Sequence, residues 1–154
     1  AVYYCCGPGS TLSLRLAAAF VKTLLWEAKG RISLFQYNAL DLAACMTKES
    51  INSIQAPFRM GKRFVRTGKV RAIGKKNVLL EEDALEKYPQ SLHLLGPRAI
   101  AIEIPEAQIL KYDLNSVNGL TDLNLVSETA EQPAPYSPEP MTFKKWEGVI
   151  PAKK

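Results

Sequence analysis

The sequence predicts an α/β protein, a two-layer βαβαββ sandwich followed by an extended C-terminal tail. Short apolar runs that suit strands alternate with two longer segments of helical periodicity. A chain of 154 residues that is 47% apolar is long enough for one domain with a substantial core. After residue 104, acidic residues and prolines replace the periodic pattern. We therefore expect an α/β domain in residues 1–104 and a tail in residues 105–154.

The first strand and the first helix are indicated by their boundaries. The opening run AVYYCC is rich in strand formers and is followed by a GPG turn, which predicts a buried strand. Ser10 and Thr11 suit the cap of the helix that follows. Two neighbouring rows of that helix are expected in the core: the row of Ala17, Val21 and Leu25, and a row with a large apolar side chain at every fourth residue. The residues of this second row are Leu12, Leu16, Phe20 and Leu24.

A second strand and a second helix follow. Residues 31–37 alternate in character, with aromatic side chains on one face, which predicts a strand. Asn38 is a suitable N-cap for a helix over residues 39–55, and Pro57 ends that helix because proline breaks the helical ladder. The apolar residues expected in the core from this helix are Leu40, Ile51 and Ile54.

The most unusual stretch is residues 59–76, which holds eight of the twenty Lys and Arg residues and no Asp or Glu. Its net charge is +8, whereas the rest of the chain, with twelve basic and fifteen acidic residues, has −3. The cations alternate with apolar residues, which predicts a bulged strand or a hairpin with the cations on one face. A short helix over residues 83–88 and a last strand over residues 98–104 complete the domain.

An excess of positive charge without internal acids favours a polyanionic partner, because the cations repel one another until an anion offsets them. RNA is the partner we expect, with arginine and lysine contacting its phosphates and one phenylalanine offering a stacking plane. The residues expected to bind nucleic acid are Arg59, Lys62, Arg63, Phe64, Arg66, Lys69, Arg71, Lys75 and Lys76.

The order of elements resembles the Alba family, a small βαβαββ fold whose members bind RNA and DNA. The resemblance covers residues 2–104 and rests on the element order, the helix lengths and the basic segment, which lies where the family has a long β3–β4 hairpin arm. It implies nucleic-acid binding by that arm. A winged helix with its recognition helix starting near Thr47 is an alternative, and a helical segment at residues 31–37 would favour it.

Enzymatic activity is not expected. His93 is the one histidine and lies among leucines, and the chain has no nucleophile motif, P-loop or dinucleotide-binding glycine pattern. The three cysteines have no metal-ligand spacing, so neither a metal nor another cofactor is expected. The longest apolar run, residues 12–28, is interrupted by charges and is not expected to span a membrane.

The sequence therefore predicts a non-enzymatic RNA-binding protein, a component or assembly partner of a large organellar ribonucleoprotein such as the mitochondrial ribosome. The Pro-rich segment 105–154 is expected to lie on neighbouring proteins of that complex. The chain begins at Ala1 without a methionine, which we interpret as a sign of a removed targeting segment. The alternative function is a structural subunit of a large protein complex, in which the basic stretch meets acidic protein or lipid headgroups.

Overall fold

A computed structural model of the chain describes residues 1–47, 52–58, 61–94, 104–113, 115 and 117–135. The predicted mixed α/β class is confirmed, since these residues form four α-helices and two mixed sheets. The strands are β1 (Val2–Gly7), β2 (Leu34–Asn38), β3 (Ser53–Pro57), β4 (Lys62–Thr67), β5 (Lys75–Leu80), β6 (Leu92–His93) and β7 (Ser127–Ala130). The helices are α1 (Thr11–Ala28), α2 (Ala39–Cys45), α3 (Glu81–Lys87) and α4 (Gly119–Val126).

The first sheet has the strand order β1-β2-β7. β1 and β2 are parallel and are joined by α1, while β7 runs antiparallel to β2. Tyr4 and Cys6 of β1 pack against Ala18 and Val21 of α1, and Leu34 of β2 completes this cluster. Small residues on α1 let the helix lie close to the sheet, which fixes the face that is buried.

The apolar row predicted to be the core face of α1 is exposed. Leu12, Leu16 and Phe20 are 68%, 62% and 65% exposed, and Leu24 also reaches solvent. The helix carries apolar residues around most of its circumference, so periodicity identifies a helix without identifying the row that meets the sheet. The sheet contacts Ala18 and Val21 instead, with Leu25 partly buried beside them. The predicted burial of Val21 is therefore confirmed, and the prediction of a buried Leu12–Leu24 row is wrong.

The second sheet has the strand order β5-β4-β3-β6. β3, β4 and β5 form an antiparallel meander, and β6 is parallel to β3. Of the two structures predicted for the basic stretch, the hairpin is the one that forms, with residues 68–74 as its loop and with β5 extending beyond the stretch. The short helix predicted at 83–88 is present as α3. The first six elements follow the predicted order, but they build two sheets instead of one sandwich layer.

The second helix is shorter than predicted. α2 ends at Cys45, and the last part of the predicted helix forms β3, which pairs with β4 over its whole length. Pairing with a neighbouring strand overrides a helical periodicity that these residues also satisfy. Leu40 and Ile54 are fully buried as predicted, because both α2 and β3 face the same cluster. Ile51 lies outside the described residues.

Part of the segment predicted to be an extended tail belongs to the fold. α4 and β7 lie within residues 105–154, and β7 pairs with β2 from Leu34 to Tyr37. Val126 of α4 is buried against Leu42 and Cys45 of α2. These residues are therefore not an extended tail, whereas residues 136–154 lie outside the described part. The strand predicted at 98–104 also lies outside it, apart from its last residue.

Candidate interaction surfaces

Arg66, one of the predicted phosphate contacts, is fully buried in an ionic network. Its Nε donates to Asp41 Oδ1 of α2 at 3.0 Å. The same oxygen accepts from the Gly74 N–H at 2.8 Å, and Asp41 Oδ2 accepts from Lys76 Nζ at 2.6 Å. Asp41 lies in the first turn of α2, where the helix dipole also favours a negative charge. Asp41 thus neutralises two cations of the basic stretch from inside the protein.

The rest of the Arg66 guanidinium holds the hairpin loop. Its Nη1 donates to the Gly68 carbonyl at 3.0 Å. Its Nη2 donates to the carbonyls of Lys69 and Ala72, each at 2.6 Å. A Cβ added at Gly74 would lie 2.5 Å from Arg66 Nε, so only glycine fits beside this group. Gly74 is therefore fixed at the end of the loop, and Lys75 and Lys76 begin β5.

Arg63 is also buried and paired. Its Nη1 donates to Glu81 Oε1 at 2.7 Å, and its Nη2 lies 3.1 Å from His93 Nδ1. Burial, followed by the neighbouring Arg63 charge, lowers the pKa of His93 to about 4. The imidazole is therefore neutral at physiological pH, and its Nδ1 accepts a hydrogen bond from the Arg63 guanidinium.

Phe64 is part of the hydrophobic core and offers no stacking plane to a ligand. It packs with Leu40 and Ile54, and its ring meets the ring of Phe58 edge-on at a centroid distance of 4.4 Å. The expectation that alternation places the cations of β4 on an exposed face is wrong, because Arg63, Phe64 and Arg66 are all buried. β4 is the second strand of its sheet and is covered on both faces, so both sets of side chains are enclosed.

The remaining predicted contacts lie at the periphery. Lys69, Arg71 and Lys75 are exposed, and Lys62 is half-buried. Arg71 has a left-handed backbone with φ of 56°, which is uncommon for a residue with a side chain. Lys76 is half-buried in its pair with Asp41. Arg59 lies outside the described residues. A polyanion could therefore meet only part of the predicted set.

Three carboxylates from other parts of the chain offset the charge of the basic stretch. Asp41 pairs with Arg66 and Lys76, as described above. Glu81 pairs with Arg63, and Asp122 of α4 lies 3.6 Å from Arg71 Nε. These carboxylates pair with four of the eight cations, so part of the repulsion within residues 59–76 is relieved inside the molecule and the charge excess is a weaker sign of a bound polyanion.

The outer face of α1 carries several exposed large apolar side chains. Leu12, Leu16, Phe20 and Leu24 form one continuous row along this face, and we call it the α1 row. The basic residues Arg15 and Lys22 are also exposed and lie beside this row, outside it. Four large apolar side chains at a spacing of four residues make a seam of the kind that packs against another helix.

The cysteines are thiols without an activating environment. Burial raises the pKa of Cys45 to about 11, and burial also raises the pKa of Cys6 to about 11. Cys45 lies in the interior, where its Sγ is 3.6 Å from the Asp41 carbonyl. Both groups are therefore protonated at neutral pH and are poor nucleophiles.

Comparison of the chain with protein-family models found no match, and comparison with curated proteins found no significant one. Among the described residues, no group of three or more His, Cys, Asp or Glu side chains is placed to hold a metal ion. In that same part of the chain, no helix combines the length and the apolar character needed to cross a membrane. The function is therefore inferred from the exposed surfaces described above, the α1 row and the basic hairpin.

Proposed function

We propose that the chain is a non-enzymatic subunit of a larger protein assembly and that it binds its partner through the α1 row. The observation that carries this proposal is the exposure of four large apolar side chains on one face of an 18-residue helix. Contiguous exposed apolar surface of this kind marks protein–protein contacts. This proposal corresponds to the alternative function stated above, a structural subunit of a large protein complex. It differs in the contact, which is the apolar α1 row and not the basic stretch.

The spacing of the α1 row favours a partner helix. Residues four apart form ridges that fit the grooves of a second helix, and packing of this kind is the commonest helix–helix contact. Leu16 and Phe20 lie at the centre of the row, where fully desolvated side chains contribute most of the binding energy. The partner is therefore expected to present an apolar helix face of similar length.

Leu16→Glu combined with Phe20→Glu is expected to abolish the assembly without unfolding the chain. Both side chains are exposed, so the free energy of unfolding should change by less than about 1 kcal/mol. Two charges at the centre of an apolar seam leave buried unpaired charge in the complex. The measurement is the elution volume of the tagged chain from its source cells on size-exclusion chromatography, with urea denaturation of the purified variant.

The matched control is Arg15→Glu combined with Lys22→Glu, which places two glutamates on the basic side of the same helix. This control should remain in the large particle. If the Leu16 and Phe20 variant elutes with the same particle as the unaltered chain, the α1 row is not the interface. Release of the unaltered chain by nuclease would instead point to RNA as the partner.

RNA binding is a second candidate, favoured by the exposed cations Lys69 and Arg71 of the hairpin loop and Lys75 at the start of β5, and by the resemblance to the Alba family. Three phosphate contacts to a single strand predict that log affinity falls with log salt at a slope of about −2. Lys69→Glu with Lys75→Glu should then remove binding to a single-stranded RNA in fluorescence anisotropy. Equal affinity of this variant and the unaltered chain at about 100 mM salt would reject the loop as an RNA site.

A further inference from the structure

The outer edge of β1 has no partner strand among the described residues. The order β1-β2-β7 places β1 at one end of the first sheet. The Val2 N–H donates to the Ser33 carbonyl at 2.9 Å, on the β2 side. Because alternate residues of a strand direct their backbone groups to opposite edges, the N–H and C=O groups of Tyr3 and Cys5 point away from β2. These groups can form a further ladder.

β1 lacks the features that protect the other sheet edges. Natural edge strands carry charges, prolines or bulges, or are very short, since an open edge otherwise attracts another strand. β7 carries the exposed Glu128, β5 begins with Lys75 and Lys76, and β6 has two residues. β1 reads VYYCCG, with neither charge nor proline, and its pairing to β2 is regular as far as Cys5. Apart from the register shift between Cys5 and Gly7, the edge of β1 carries none of these protections, so it is the least protected of the four sheet edges that the described residues form.

Both faces of β1 are already covered. On one face Tyr4 and Cys6 are buried under α1. On the other face Tyr3 stacks on Phe35, with ring centroids 5.2 Å apart, and its hydroxyl donates to the Asn124 side chain. A strand that is covered on both faces and apolar throughout is typical of the interior of a parallel sheet. β1 thus has the sequence and surroundings of an interior strand at an edge position.

We infer that the outer edge of β1 binds an extended strand of a partner protein, aligned parallel to β1, uncharged and rich in β-branched or aromatic residues. The open N–H and C=O groups specify a strand, because backbone pairing of this kind supplies the affinity in strand addition. The uncharged side chains of β1 specify a strand of like chemistry, since such cross-strand pairs stabilise a sheet. This contact is separate from the α1 row and does not depend on the function proposed above.

Orientation distinguishes this partner from a second copy of the chain. Two copies related by a two-fold axis would pair their β1 strands antiparallel. A strand such as β1, which is apolar at every position, is typical of a parallel sheet. The added strand is therefore a different segment from β1 itself.

The test is a tethered strand. A six-residue segment of alternating valine and threonine is fused before Ala1 through a flexible Gly/Ser linker of about 15 residues, which is long enough for the crossover that parallel pairing needs. The melting temperature should rise by about 3 °C or more. The amides of Tyr3 and Cys5 should exchange with deuterium about ten-fold more slowly. A matched fusion of alternating lysine and threonine should produce neither effect.

Two further variants decide the orientation and the site. An Asn-Gly linker permits only an antiparallel hairpin, so equal stabilisation by that fusion would overturn the parallel orientation. Cys5→Pro removes an outward N–H and leaves the β2 ladder intact, so it should abolish the gain of the long-linker fusion. A gain that survives Cys5→Pro would overturn the site, as would the absence of any protection in the unaltered fusion.

Exchange in the unfused chain tests the choice of occupant and needs no variant that could fail to fold. Slow exchange of the Tyr3 and Cys5 amides in a dilute monomer would show that another segment of this chain covers the edge. Protection that increases with protein concentration would show that a second copy does. Either result would overturn the partner assignment, and fast exchange at all concentrations is the result we expect.

Discussion

Asp41→Ala should destabilise the chain by about 3 to 5 kcal/mol, because it leaves the Arg66 guanidinium buried without its counter-charge. Arg66 is 0% exposed and Asp41 is 1% exposed, so water cannot replace the lost carboxylate. The Gly74 N–H and the Lys76 ammonium would lose the same acceptor. The measurement is urea denaturation followed by circular dichroism, with the midpoint and the slope reported separately.

Two controls show whether the network is the cause. Glu86→Gln removes an exposed carboxylate and should change the free energy of unfolding by less than about 0.5 kcal/mol. The double variant Asp41→Ala with Arg66→Met removes both charges and should be less destabilised than the sum of the two single variants. A loss below about 1 kcal/mol in Asp41→Ala would mean that solvent reaches the guanidinium, in contradiction to the structure.

The network explains why the sequence alone does not show that the cations of the basic stretch are paired within the protein. A sequence shows eight cations in succession, and it does not show that Asp41 on α2 and Asp122 on α4 fold against them. Neither acid is near the stretch along the chain, and only the packing of α2 and α4 brings them there. Glu81 is the exception, because it follows the hairpin directly and could have been assigned to Arg63.

The end of β1 and the starts of α1 and α2 could be predicted because the residues at these boundaries favour them locally. The GPG turn ends β1, Ser10 precedes α1, and Asn38 caps α2 by accepting from the Leu40 N–H at 2.9 Å. Local chemistry did not determine which side of α1 meets the sheet. Val21 and the Leu16 row satisfy the same helical period, and the choice between them depended on the close approach allowed by Ala18. The row left outside is the surface on which the proposed function rests.

The assignment of residues 53–57 failed for a related reason. The segment SIQAP satisfies a helical row through Ile54 and also satisfies a strand, and short apolar segments do not distinguish the two. Pairing with two other strands decided the matter: β4, which follows closely along the chain, and β6, which is distant in sequence. Gln55 is buried there, and its amide donates to the Ala84 carbonyl at 2.9 Å, which connects β3 to α3.

Acidification should weaken the fold through His93, and the loss should be about 3 kcal/mol between pH 6.5 and pH 4. The ordinary histidine pKa is 6.5, and burial beside Arg63 lowers the pKa of His93 in the folded chain to about 4. Between these values the unfolded chain binds a proton that the folded chain does not, so stability falls as the pH falls. A difference of about 2.5 pKa units corresponds to about 3 kcal/mol.

His93→Gln isolates this effect, because glutamine can accept from Arg63 and does not titrate. Carboxylates such as Glu81, which pairs with the same arginine, titrate in both proteins and cancel in the difference. The stability advantage of the unaltered chain over His93→Gln should therefore shrink steadily from pH 7 to pH 4 in urea denaturation. A difference in the free energy of unfolding that stays constant within about 1 kcal/mol over this range would show that His93 is protonated in the folded chain. It would contradict the assignment of a neutral imidazole beside Arg63.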